Sequence, residues 1–347
     1  MGIRNLNRYL RDNCPESIRC INISELSGKK IVVDISIYLY KYESENTLLE
    51  NMYVMLSIFR YYNIIPIFIF DGKPPPEKKA LLQKRREDKE AAQQEYDKLK
   101  FQLESKEEDD DKQDIIAAMD QLKKQIVQIN KDKIESVKAL IRAYGATYYD
   151  APGEADELCA LLVIKKKVWA CLSEDMDLFV YGCTRVLRYF SLMAHTVVLY
   201  YTKGIYEELN MTQKEFKEIC VLSGTDYNIN ANGNNDIVSL RLTIKHFNKF
   251  KDSKSSHTFY DWLLENTEYI NDIQLLNKIN NMFNLECEHE KLVIFNKIKI
   301  VNGPIRQDEI EEIMKEEDFI FCKSDSNKPQ YAEKEIKKIK INYDKVS

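Results

Sequence analysis

Seven carboxylates stand where short apolar runs stop or where helical segments begin and end. Ile31-Val32-Val33 runs into Asp34, Ile64 to Phe70 into Asp71-Gly72, and Val168 to Leu172 into Ser173-Glu174-Asp175-Met176-Asp177. Glu154 and Asp156 open the segment DAPGEADELCALLVIKK, and Asp226 follows FKEICVLSG. Carboxylates that share one partly desolvated crevice repel one another, so such a group needs raised pKa values or cations. Divalent metal resolves the conflict. Oxygen ligands with no His or Cys among them suit Mg²⁺, with Mn²⁺ as a substitute, better than Zn²⁺. Two such ions about 4 Å apart can activate water on one side of a phosphodiester and stabilise the departing oxygen on the other. The products would be a 5′-phosphate and a 3′-hydroxyl. Taken singly, each acid has a structural explanation: Asp71-Gly72 is a common turn, Asp175 and Asp177 suit a polar loop, and Glu154 complements a helix dipole. Their joint placement favours a metal site.

For these acids to meet, the three apolar runs must be neighbouring strands. They are rich in β-branched and aromatic residues, and helical segments lie between them, which points to a mostly parallel sheet flanked by helices. In such α/β folds ligands bind at the carboxyl ends of the strands, where the acids sit. Residues 77 to 145 form a charged stretch without proline, in which Ile115, Met119, Leu122, Ile126 and Ile129 keep helical spacing. Two or three helices are expected there, with the acidic run Glu107 to Asp111 as a solvated connection. A further helix is expected to begin at Pro152, and another to end at Gly224, leaving Asp226 just beyond it. The Asn/Gly-rich loop 228–236 precedes a largely helical C-terminal third and a basic tail.

With 347 residues, 44% of them hydrophobic and 31% charged, the chain suits one elaborate globular domain or two modest ones. A net charge of −5 gives no overall basic footprint, so any nucleic-acid contact must come from a local patch. The eight cysteines form no CxxC pair, the pattern of reduced thiols in an intracellular protein. Cys287 and His289 alone do not make a zinc site. The N-terminus has no apolar leader core, and no run approaches the roughly 20 residues of a membrane span. No membrane association is expected.

The motifs carry a resemblance. MGIRNL, VVDISIYLY (32–40), FIFDGKPPPEKK (68–79), DAPGEADELCALL (150–162), SEDMDLFVYG (173–182) and CVLSGTDY (220–227) resemble, in order, those of the flap endonuclease and XPG family of 5′ nucleases. The likeness covers about residues 1 to 90 and 135 to 230. It implies a PIN-like α/β fold with a helical arch and a helical C-terminal DNA-binding region. The divisions it suggests are 1–90 (N-terminal nuclease region), 91–134 (arch), 135–230 (internal nuclease region), 231–325 (C-terminal region) and 326–347 (basic tail). It implies Asp34, Asp71, Glu154 and Asp156 as ligands of one Mg²⁺, and Asp175, Asp177 and Asp226 as ligands of a second. Lys78 and Arg85 match the two basic residues at the base of the family's arch, implied to bind the scissile phosphate and offset leaving-group charge. Tyr40 matches the tyrosine that stacks on the base beside the cut. Gly2 matches the N-terminal glycine that lets the backbone run close to DNA.

The chain departs from the family pattern in three places. Asp156 is Glu in many flap endonucleases, and the ExD form resembles the mismatch-repair 5′ exonuclease branch. A glycine-rich helix–hairpin–helix turn is reduced to Gly233-Asn234-Asn235-Asp236, with Lys245, Lys249 and Lys251 nearby to supply positive charge. The tail lacks the glutamine-plus-paired-aromatics peptide that binds sliding clamps. The expected partner is therefore branched or flapped DNA, bound by a monomer in the nucleus or at another site of DNA replication, cellular or viral. Three alternatives stay open: a 5′-3′ exonuclease of the same family, a non-catalytic DNA-junction binding protein on the same fold, and a phosphotransferase. The second predicts loss of carboxylates that are all present. The third would need a DxD pair at Asp34 or a GxxxxGK loop, and neither is found.

Overall fold

The computed structural model describes residues 2–105, 110–227, 240–285 and 299–315, together with Phe319 and Phe321. Seven strands form one sheet: β1 (Ile18–Asn22), β2 (Lys30–Asp34), β3 (Ile65–Phe70), β4 (Thr147–Asp150), β5 (Ala170–Leu172), β6 (Arg185–Ser191) and β7 (Thr196–Tyr201), in the order β1-β7-β6-β5-β2-β3-β4. The β2–β3, β2–β5, β3–β4 and β5–β6 pairs are parallel, whereas β7 runs antiparallel to β6 and β1. The expected mostly parallel sheet is present, with a hairpin and an antiparallel edge strand added.

The helices are α1 (Leu6–Asn13), α2 (Ser36–Ser44), α3 (Leu48–Tyr61), α4 (Lys79–Ser105), α5 (Asp110–Ile126), α6 (Lys131–Ala143), α7 (Ala155–Ile164), α8 (Asp177–Val180), α9 (Thr202–Glu208), α10 (Gln213–Ser223), α11 (Leu240–Ser253), α12 (Phe259–Asn266), α13 (Ile273–Met282) and α14 (Gln307–Lys315). Side chains alternate across a strand, and the central strands use both faces. Val32, Ile67 and Ile69 join Leu6, Leu158 and Phe179 in one core. Ile31, Val33, Phe68 and Phe70 join α2, α3 and α6 in the other. Strands buried on both sides must read as continuous apolar runs, which is why β2 and β3 are legible in the sequence.

Register sets the site. Asp34 lies opposite Ile69, and Val33 opposite Leu172. The residues that leave β2, β3 and β5 therefore emerge along one edge of the sheet. The charged stretch forms three helices. α4 and α5 pack on each other, and Ala92, Ile115 and Met119 are buried there apart from both main cores.

Two expected boundaries shift. The helix expected from Pro152 starts at Ala155, because residues 151–153 are held instead by the turn after β3. Ala151 N donates to Phe70 O at 2.9 Å and Gly72 N to Gly153 O at 2.7 Å. The run beginning at Val168 becomes strand only at Ala170, although Trp169 N already donates to Lys30 O at 2.7 Å. The helix that ends at Gly224 is as expected, with this glycine at φ 105°. C-terminal residues return to the core, where Gly303 N donates to Gly145 O and Arg306 N to Ala143 O, each at 2.8 Å. Most of the Glu107–Asp111 run, Gly233–Asp236, Cys287, His289 and the basic tail lie outside the described residues.

Candidate active site

Each acid reaches the sheet edge by a local device. Asp34 ends β2 and is buried, with Ser173 Oγ donating to its Oδ2 at 2.8 Å. The same hydroxyl accepts from Asp175 N at 3.1 Å, and Asp175 Oδ1 accepts from Asp177 N at 3.0 Å. Ser173 thus ties the acid ending β2 to those following β5. Asp71, one residue past β3, accepts from Ala155 N at 2.8 Å and caps α7 from another part of the chain. That cap brings Glu154 and Asp156 beside it. Gly72 makes the approach possible: a Cβ there would lie 1.9 Å from Ala151 O. Asp226 follows the turn that Gly224 creates at the end of α10.

Two cations reach into this group. Lys78, in the short 3₁₀ turn before α4, is 8% exposed, donates to Glu154 Oε1 and lies 3.6 Å from Asp226 Oδ2. Arg85 Nη2 reaches the same Asp226 oxygen at 3.1 Å. Tyr227 OH donates to the other Glu154 oxygen at 2.5 Å. At the opposite side Gly2, with φ +74°, leaves so little room that a Cβ would sit 2.5 Å from Asp177 Oδ1 and 2.9 Å from Asp175 Oδ1.

The electrostatics are those of crowded, desolvated acids. Burial, then repulsion from Asp71 and Asp175, pushes the Asp34 carboxyl up to about 7 despite the Ser173 hydrogen bond. Burial likewise drives Asp156 and Asp177 well above the usual carboxylate range, with Asp175 the largest repelling neighbour of each, and burial raises Asp175 itself. For Lys78 burial works to lower the pKa, but Glu154, Asp156 and Asp226 outweigh it and the group is held more firmly protonated than a free lysine.

A cation fits this donor set. All seven groups offer oxygen, and Asp177 Oδ1 is buried without a hydrogen-bond partner among the described residues. An orphaned buried carboxylate oxygen is costly unless a cation completes it. No three His, Cys, Asp or Glu side chains among the described residues are already closed around one point. Lys78 and Arg85 supply positive charge to Glu154 and Asp226.

The other expected residues lie elsewhere. Tyr40, on α2, is 52% exposed, and Lys89 of α4 stands 5.9 Å over its ring. Lys245 and Lys249 are exposed one turn apart on α11, which packs against α10. Lys251 is paired with Glu215 at 3.0 Å. Sequence reasoning missed Ser173, Tyr227 and Gly72. Each sits inside a quoted motif, but the contacts that give it a role come from distant segments. Arg241 was missed as well; it is exposed at the start of α11, four residues before Lys245, and helical spacing alone would have found it.

Comparison with known proteins bears on the family and the fold. The XPG N-terminal domain matches residues 1–92 and the XPG I-region residues 145–226. Flap endonuclease 1 of Oryza sativa subsp. japonica is 31% identical over 265 residues, covering 71% of this chain and 67% of that protein. The chain belongs to the flap endonuclease/XPG family. Flap endonuclease 1 of Trypanosoma brucei gambiense is 32% identical over 249 residues, 65% of this chain and 61% of the relative. The chain thus spans less than two thirds of that relative's length. Among solved structures, the catalytic core of Rad2 in complex with DNA substrate shares the fold at a TM-score of 0.60 and 21% identity, covering 91% of this chain and 94% of that one. Flap endonuclease-1 from Methanococcus jannaschii does so at 0.53 and 20%, with 86% and 97% covered. The family assignment and the sheet flanked by helices agree with the sequence reading. No helix among the described residues is long and apolar enough to cross a membrane.

Proposed function

We propose that this chain is a structure-specific 5′ nuclease that hydrolyses DNA phosphodiesters at 5′ flaps or 5′ ends, in replication or repair. One observation carries the reading: Lys78 and Arg85 meet Glu154 and Asp226 at the sheet edge where the other acids emerge. That arrangement offers metal ligands and phosphate-binding cations in one crevice. Asp34, Asp71, Glu154 and Asp156 would hold one Mg²⁺, and Asp175, Asp177 and Asp226 a second. Bound there, the ions would polarise the phosphodiester and supply a water of lowered pKa.

The protein's own groups do the rest. Asp71 holds the start of α7 and thereby sets the direction of Glu154 and Asp156. Ser173 fixes Asp34 against Asp175. Lys78 and Arg85 bind phosphate once Glu154 and Asp226 no longer hold them, and their charge then faces the departing oxygen. Tyr40 offers an exposed ring on which a base can stack. Gly2, lacking a side chain, lets the start of the chain run close to the DNA, and Lys245 and Lys249 on α11 suit duplex phosphates. The divisions proposed with this function are nuclease regions over 1–90 and 135–230, an arch over 91–134 and a C-terminal DNA-binding region over 231–325.

The test is cleavage of a 5′-labelled double-flap DNA with and without Mg²⁺, beside Asp175→Asn. Metal-dependent release of a short oligonucleotide, lost in the variant, supports a flap cutter; release of mononucleotides supports the exonuclease of the same family. Tight junction binding with no cut in Mg²⁺ or Mn²⁺ would leave a DNA-binding scaffold and end the nuclease reading.

A further inference from the structure

The sheet has a second charged edge. At the end of the parallel strands away from the acids lie residues 27–30, 62–65, 165–169, 183–185 and 201–203, which together carry seven Lys and Arg and no Asp or Glu. Register gathers them: Lys30 lies opposite Ile65, Ile31 opposite Ala170, and Arg185 opposite Tyr201, where the antiparallel β7 ends. Trp169 stands among them, with Lys29 Nζ 4.9 Å and Arg185 Cζ 5.1 Å from its ring centre. Arg185 also lies 5.7 Å from the ring of Tyr201, which is exposed. Lys30, Lys165 and Lys166 are exposed as well.

Local structure explains part of this charge. Lys165 complements the dipole at the carboxyl end of α7, Lys203 is paired with Glu207 at 3.7 Å, and Glu25, just before this edge in the chain, is held by Arg19 at 3.9 Å. None of these accounts for three consecutive lysines between α7 and β5, or for five segments free of acids in a chain of net charge −5. A surface of one sign with aromatic rings among its cations is the pattern that tracks a nucleic-acid backbone. An acidic peptide would use the charge and leave the rings without a role. β2 covers its five residues from Lys30 to Asp34 in about 13 Å, so a strand held at the acids reaches this edge only by passing around the sheet. We propose that this edge binds the phosphate backbone of a single nucleic-acid strand beyond the part held at the carboxylates, either the far end of a long displaced flap or a separate strand. The flap as its source rests on the nuclease reading above; the binding itself does not.

The test uses the full chain in Ca²⁺, so that binding is read without turnover. The probes are a fluorescent oligothymidine strand and double-flap DNAs with either a single-nucleotide flap or one of about 30 nucleotides, longer than the ~4–16 that a single-strand site covers. The triple variant Lys30→Gln, Lys165→Gln, Lys166→Gln removes three exposed charges and leaves the Trp169 contacts in place. Its affinity for the free strand should fall about tenfold to hundredfold at about 0.1 M salt, and the slope of log affinity against log salt should shrink by about two, at roughly 0.7 per phosphate contact. Arginine at the same three positions should bind as the parent does. Lys165→Gln alone should shrink the slope by about 0.7, which keeps the comparison if the triple variant folds poorly. A long flap that binds tighter than the single-nucleotide flap in the parent, and no tighter in the triple variant, identifies the displaced strand as the occupant. Weakened free-strand binding with no long-flap advantage identifies a separate strand. Unchanged free-strand affinity and slope in the variants, an equal loss on both flap lengths, or poly-glutamate bound as tightly as the strand would overturn the proposal. Cutting of the single-nucleotide flap in Mg²⁺ should be the same in parent and triple variant. A parent that binds the strand through this edge and never cuts keeps the edge and ends the nuclease reading, whereas intact cutting with variants indifferent to the strand ends the edge alone.

Discussion

Replacing Asp34 by Asn should stabilise the metal-free protein and inactivate it at once. In the fold this carboxyl is buried and pushed up to about 7 from an ordinary 3.8, chiefly by burial and then by Asp71 and Asp175. An acid whose folded pKa is raised binds its proton more tightly folded than unfolded, so stability falls as pH rises between the two values. The penalty is absent below about pH 4 and complete above about pH 7. Roughly three units at about 1.4 kcal/mol each give about 4 kcal/mol as the upper limit at pH 8. Asn has nearly the same shape, its amide oxygen can still accept from Ser173, and it carries no charge. Thermal unfolding in EDTA at pH 8 should therefore show the variant melting several degrees higher than the parent, since a kcal/mol is worth about 2–4 °C in a domain of 150–250 residues and somewhat less in a longer one. The gap should close by pH 4. Added Mg²⁺ should raise the parent's melting temperature more than the variant's, because a ligand that binds only the folded state stabilises it. A variant no more stable than the parent at pH 8 in EDTA would mean that the buried charge is already compensated, and the argument for a cation at this edge would lose its electrostatic basis.

Three other substitutions probe separate links. Lys78→Met leaves Glu154 and Asp226 without their buried partner, and should lower the EDTA melting temperature by up to the ~3–5 kcal/mol of a broken buried pair; an unchanged melting curve would show that Lys78 carries no compensating role. Tyr227→Phe removes the hydroxyl held by Glu154 and should raise the Mg²⁺ concentration for half-maximal cutting several-fold while saturating activity changes less, since an orienting partner typically contributes 10–100-fold to metal affinity. A purely structural role would move the melting temperature and leave the Mg²⁺ titration in place. Gly72→Ala drives a methyl group into Ala151 O and should destabilise by more than the ~1–3 kcal/mol of ordinary overpacking, which urea denaturation would read directly.

How much of this was legible depended on how local the cause was. The strands β2 and β3 announce themselves because burial on both faces forces unbroken apolar runs, and their terminal acids mark the functional edge. β6 and β7 were not expected, although RVLRYFS and TVVLYY are rich in β-branched and aromatic residues; their pairing through the turn that contains Ala194 and His195 carries no strong turn dipeptide such as Asn-Gly. The start of α7 was misplaced because proline and early acids are local signals, whereas the cap that decides it is Asp71, 84 residues away. The acids themselves could be chosen from type and position. Lys78 and Arg85 were chosen by family resemblance, and their contacts with Glu154 and Asp226 have no counterpart in spacing. Ser173 and Tyr227 act through contacts across the fold that no single segment encodes.

The charge of the chain follows the same logic and yields a last prediction. Removing the seven site carboxylates from the formal −5 leaves +2, so the acidity that argued against DNA binding belongs to the site alone. Two divalent ions would bring the whole chain to −1. Lys78 and Arg85 hold oxygens of Glu154 and Asp226, two of the carboxylates proposed above as metal ligands. If the proposed ligand set holds, metal and these cations would compete for the same carboxylates, and a bound metal would free Lys78 and Arg85 for phosphate. By linkage, whatever metal contributes to DNA affinity, DNA contributes equally to metal affinity. Flap DNA should bind more tightly in Ca²⁺ than in EDTA at equal ionic strength, and the double variant Lys78→Met, Arg85→Met should lose much of that difference because it has no cations to release. Equal affinities in Ca²⁺ and EDTA for the parent, or an undiminished difference in the double variant, would show that phosphate binding does not depend on this exchange.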